Sequence, residues 1–104
     1  MSTNNEQLQE LFDRIPRRHT ADNVKEIYGI LDAYEDLLTT LEANARYEQL
    51  VAPFFELLDP IRTSLKKSND NKASKKQKDD LFDEGSGMLK DSMKDLMGLL
   101  EGEA

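Results

Sequence analysis

Residues 24–65 read VKEIYGILDAYEDLLTTLEANARYEQLVAPFFELLDPIRTSL, and the period of the apolar residues in this stretch decides the fold class. Val24, Ile27, Leu31, Tyr34, Leu38, Leu41 and Ala45 step by three and four, which places them on one stripe of an α-helix. Ile30 and Leu37 lie beside that stripe, and Tyr28 lies on its other flank. The apolar face is therefore wider than a two-stranded coiled-coil seam, and such a helix needs more than one neighbour. Lys25, Glu26, Asp32, Glu35, Asp36 and Glu42 fall on the opposite side, which suits solvent. In the second half Tyr47, Leu50, Val51, Phe54, Leu57, Leu58, Ile61 and Leu65 keep the same period.

Pro53 and Pro60 complicate that second half. A proline inside a helix removes a hydrogen bond and clashes with the preceding turn, at a cost of roughly 3 kcal/mol. Two arrangements fit the pattern: two helices broken within 44–53, or one long helix kinked at Pro53. The hairpin is favoured, because its two apolar faces cover each other. A single helix would leave so wide a stripe exposed.

Upstream, the first five residues are polar and Ser2, Thr3 or Asn4 can cap a helix. Leu8, Leu11, Phe12 and Ile15 then trace a short amphipathic helix that Pro16 closes. A helix of about three turns is marginal alone in water, so it must pack on the hairpin. Thr20 is a good N-cap for the next helix, with Asp22 in its first turn. Between them, Arg17 and Arg18 are candidate anion contacts, although a solvated connector explains them as well. His19 is the single histidine and has no partner for a two-histidine metal site.

Downstream of Leu65 the composition changes. Residues 66–78 hold six lysines against one aspartate, +5, between flanks of −6 (1–65) and −6 (79–104). With one alanine and otherwise polar residues, this segment buries too little to offset chain entropy, and it is expected to be a flexible linker. An amphipathic pattern follows over 79–104, with Leu81, Phe82, Met88, Leu89, Ser92, Met93, Leu96 and Leu100 on one face and Met97 and Leu99 widening it. Gly85-Ser86-Gly87 interrupts the pattern, each glycine costing about 1 kcal/mol relative to alanine in a helix. This segment is either a fourth helix docked on 1–65 or a tethered helix for a groove on another protein. In the second case Met88, Leu89, Met93, Leu96, Met97 and Leu100 form the partner-binding face, since methionine adapts to varied surfaces.

The expected fold is thus all-α, a small antiparallel bundle of three or four helices, and 104 residues make one domain. No cysteine is present, which removes disulfides, thiolate nucleophiles and Cys-ligated zinc. The polar start of the chain and the lack of a long apolar run suggest a soluble, cytoplasmic protein. The carboxylates Asp32, Glu35 and Asp36 share one turn, but helical di-metal sites also need Glu-x-x-His pairs, which this chain lacks. No metal, cofactor or small-molecule substrate is indicated, and the reading is not of an enzyme. A protein–protein interaction module remains: a regulator, inhibitor or adaptor that binds a protein partner or itself as a homodimer. The alternative is a nucleic-acid-associated accessory protein touching phosphates through the lysines of 66–78. The acidic body disfavours it.

Overall fold

The computed structural model describes residues 3–16 and 20–102, and these contain four helices and no strand. The first, α1 (Thr3–Arg14), starts with Glu6 in its opening turn and ends on Arg14, both favourable to the helix dipole. Thr20 caps α2 (Ala21–Glu42), its hydroxyl oxygen accepting from the Asn23 N–H at 3.0 Å. Leu8 and Leu11 of α1, Ile15 just past its end, and Val24, Ile27, Leu31, Tyr34, Leu38 and Leu41 of α2 all enter the core, with Phe12 half-buried against it, while Ala45 lies exposed in the following turn.

The chain reverses at 43–47, so the hairpin is the observed arrangement and the long kinked helix is not. Asn44 organises the reversal. Its side-chain oxygen accepts from the Arg46 N–H at 3.0 Å, and its carbonyl accepts from the N–H groups of Tyr47 and Glu48. Both prolines lie inside α3 (Glu48–Ser68) rather than at its start. They are exposed, and so are Gln49 and Glu56, the residues four positions earlier whose carbonyls lose a donor. Because Pro53 and Pro60 are seven residues apart, both gaps open on the same outer side, where water can hydrogen-bond those carbonyls.

The 66–78 segment is not a linker throughout, which corrects the expectation from composition. Lys66 and Lys67 form the last turn of α3, where cations suit the carbonyl end. Ser68 is buried and its hydroxyl donates to the Leu65 carbonyl. Only 69–74 connects the helices, and it carries its own hydrogen bonds: Asp70 accepts from the N–H groups of Lys72 and Ala73. Ser74 and Gln77 then form a reciprocal capping box, with bonds of 3.0 and 3.2 Å, that starts α4 (Lys75–Gly102). Low apolar content denied this stretch a core role. It did not deny it helix, because lysine and glutamine are good helix formers.

Gly85-Ser86-Gly87 is also helical and does not interrupt α4. A Cβ placed on Gly85 would lie 2.9 Å from Cγ and Cδ2 of Leu65 and 3.4 Å from Cβ of Ser64. Ser64, Ser68 and Ser86 are buried nearby in sequence, so small residues let α3 and α4 come close. Theirs is the most extensive helix pairing in the molecule.

The remaining pairings close a ring, α1 on α2, α2 on α3, α3 on α4 and α4 on α1. Short connections make successive helices antiparallel, and the bundle measures 45 × 22 × 17 Å. Among the described residues a buried hydrogen bond crosses it diagonally, between the Tyr34 hydroxyl of α2 and the Ser92 hydroxyl of α4 at 2.7 Å. Among the described residues no helix is long and apolar enough to cross a membrane.

Candidate interaction surface

The face of α4 expected to meet a partner lies inside the bundle instead. Leu89, Met93, Leu96 and Leu100 are buried, and Met88 and Met97 pack against the same core half-buried. The physical reason is proximity: a short connection holds the amphipathic helix beside an apolar face of its own chain. Four of the six are core, and a partner that engaged Leu89, Met93, Leu96 and Leu100 would have to displace the bundle.

The apolar surface left outside is elsewhere. Leu57 and Leu99 keep 42% and 40% of their surface, and both are large hydrophobic residues without full cover. Between the first half of α3 and the last turns of α4 runs a groove of about 690 Å³ lined by Leu50, Pro53, Phe54, Gly98 and Leu99, among others. Leu57 follows one turn further along α3, on the same side of the helix as Leu50 and Pro53 and just beyond the residues that line the groove. Phe54, with 6% of its surface exposed, is buried among the lining residues.

Two charged residues line this groove, Lys94 and Asp95. The Lys94 ammonium lies 5.6 Å from the centroid of the Phe12 ring on α1, within cation–π range. Asp95 acts on Tyr34, whose phenol is pushed up to about 12, first by burial and also by that negative charge, against a lowering from the Ser92 hydrogen bond. Lys94 is thus engaged with its own bundle, while Asp95 is exposed.

The other candidates are placed as follows. Asp32 and Glu35 are bridged by Arg62 of α3, at 3.4 and 3.0 Å, so this acidic turn joins α2 to α3. Tyr28 nearby has its phenol raised by burial while Arg62 pulls it down. Among the described residues no group of three or more His, Asp or Glu side chains is arranged to hold a metal. Arg17, Arg18 and His19 lie outside the described residues. The lysines of 66–78 gather at one end of the bundle, around the α3–α4 connection. Three of them, Lys75, Lys76 and Lys78, begin α4, whose first turn holds no acidic residue. Cations there oppose the helix dipole.

The sequence concealed the groove because Leu50 and Leu57 fit the helical period and read as core. The pattern did hold a clue: Val51, Phe54, Leu58, Ile61 and Leu65 complete the buried apolar row of α3, leaving Leu50 and Leu57 over on the side of Pro53. Comparison of the chain with protein-family models, with curated proteins and with solved structures finds no match.

Proposed function

We propose that this chain is a protein–protein interaction module, a regulator, inhibitor or adaptor rather than an enzyme, and that its partner docks on the outer α3/α4 face. The observation that supports this reading is the pair of exposed leucines, Leu57 and Leu99, beside a groove walled by Leu50 and Pro53. Scattered surface leucines need no explanation, whereas two beside one groove support reading that face as a contact surface. The cysteine-free composition supports the cytoplasm as the compartment.

The test is a photo-crosslinking residue at position 57 or 99 in cells that make the protein, with position 83 on exposed α4 surface as control. A discrete protein adduct from 57 and 99 but not from 83 is expected. Equal labelling from all three positions, or none, removes the reading. A second reading, phosphate contact by the lysine end, draws on Lys75, Lys76 and Lys78 crowding the positive end of α4. Affinity for single- or double-stranded DNA that falls steeply as salt rises is its expected mark. No binding at low salt eliminates it.

A further inference from the structure

We propose that the groove between α1 and α2 is a further contact surface, and that it takes a basic amphipathic helix of another protein. This goes beyond the α3/α4 reading and holds or fails independently of it.

The groove follows from a short helix on a long one. α1 has 12 residues and α2 has 22, and their pairing is the least extensive in the ring. The space left between them is about 450 Å³, lined by Leu11, Ala33 and Leu37 together with Glu10 and Asp36. Leu11 and Leu37 keep 8% and 7% of their surface, the highest values in the buried core, so the core comes nearest to solvent here.

Charge names the kind of occupant. Glu10 on α1 and Asp36 on α2 are exposed, and among the described residues no ion pair holds either carboxylate. The Thr40 hydroxyl, also in the lining, donates to the Asp36 carbonyl at 3.0 Å, which leaves the Gln7 amide as the only neutral side-chain donor there. No cation lines the groove, and Arg14 on α1 is held by Glu26 at 3.1 Å. The wider field has the same sign. α1 and α2 together hold two basic and nine acidic side chains, −7, whereas α3 holds three of each. A cationic partner is steered to this layer and finds acceptors without donors when it arrives.

A bare metal ion is a poor occupant. Among the described residues no three carboxylates are arranged to hold one, and two leave a divalent cation short of its six or more oxygens. The apolar lining asks for carbon as well as charge. Arginine and lysine bring both, a cationic head for Glu10 and Asp36 and an aliphatic stem for Leu11 and Leu37. Carried beside apolar residues on one face of a helix, they suit a groove between two helices.

The probe is a synthetic peptide of leucine, alanine and arginine, about 18 residues long, with leucines on one helical face and arginines flanking them. A scrambled peptide of the same composition is the comparison. Amide 1H–15N spectra of the full chain are followed during titration at about 0.05 M and about 0.15 M salt. The amides of 7–11 and 33–40 are expected to shift, with the scrambled peptide bound about tenfold more weakly or worse. Glu10→Gln with Asp36→Asn should weaken binding by about tenfold or more while the circular dichroism spectrum stays unchanged. Glu56→Gln with Asp59→Asn removes as much charge from exposed positions on α3 and should leave the affinity within about twofold. No binding at low salt overturns the proposal, as does equal affinity for the scrambled peptide, which is adsorption by charge alone. Shifts centred on the α3/α4 groove, or affinity that Glu10→Gln with Asp36→Asn leaves intact, overturn it too. Spermine shifting the same amides at equal affinity would assign the groove to a small cation and overturn the helix as its occupant.

Discussion

Replacing Gly85 by alanine sets two effects of opposite sign against each other at the tightest point between α3 and α4. Alanine in place of glycine inside a helix gains about 1 kcal/mol. The new Cβ, however, would sit 2.9 Å from both Cγ and Cδ2 of Leu65, a side chain that is fully buried and cannot swing into solvent. Overpacking of this kind costs roughly 1–3 kcal/mol. The net expectation is a loss of about 1 kcal/mol, or a melting temperature lower by about 4–8 °C for a domain of this size. Gly29→Ala, where the methyl meets nothing within 4 Å, should instead gain up to about 1 kcal/mol. Urea unfolding followed by circular dichroism at 222 nm separates the two variants by about 2 kcal/mol. Removing the obstacle reverses the sign: with Leu65→Ala already in place, Gly85→Ala should stabilise, giving a coupling of about 2 kcal/mol in the double-mutant cycle. A Gly85→Ala variant as stable as Gly29→Ala, with no coupling to Leu65, refutes the close packing of α4 on α3.

Further outcomes follow from other contacts. The Tyr34 phenol is raised from 10.0 to about 12, so the neutral form is favoured in the fold. That stability is fully present below pH 10 and is lost as pH rises through 12, by roughly 2–3 kcal/mol. Unfolding curves between pH 9 and 12 for the wild type and Tyr34→Phe should show the extra alkaline loss in the wild type alone. Pro60→Ala restores an N–H donor to an exposed turn of α3 and should stabilise by about 1–2 kcal/mol, net of a more flexible unfolded chain. Ser74→Ala removes half of the capping box with Gln77 and should cost about 1 kcal/mol. Its mark is faster amide exchange at Gln77 and in the first turn of α4.

The helices were legible wherever a full apolar stripe was present. Leu8, Leu11, Phe12 and Ile15 at the first helix and the seven-residue row from Val24 to Ala45 predict buried faces; of these eleven, Phe12 is half-buried and only Ala45, beyond the end of α2, is exposed. Thr20 was readable as a cap because its hydroxyl acts locally. The reversal was harder to place, because Pro53 looked like a helix breaker and lies well inside α3. Its solvent-facing side makes it tolerable, and one sequence does not reveal which side of a helix meets water when both carry apolar residues. The start of α4 was missed for a different reason. Ser74-Lys75-Lys76-Gln77 is a readable capping signature, but the lysine-rich composition around it favoured a linker. Gly85 and Ser86 seemed to weaken a helix, and only the approach of Leu65 gives small residues there a purpose. The candidate surface was least legible of all. Of the two readings of 79–104 the structure has the docked fourth helix, so the methionine face of α4 is covered by the bundle, while Leu57 and Leu99, which fit the helical period of the apolar faces, stay outside the core.

The most direct test of a closed bundle with α4 docked is a backbone {1H}–15N heteronuclear NOE profile of the full chain. Residues 81–100 should be as rigid as 24–41, since Phe82, Leu89, Met93 and Leu96 are as deeply buried as Ile27 and Leu38. Low values running through 81–100 would contradict the account. They would mean that the Met93 and Leu96 face stands free for a partner and that the α3/α4 groove does not persist in solution.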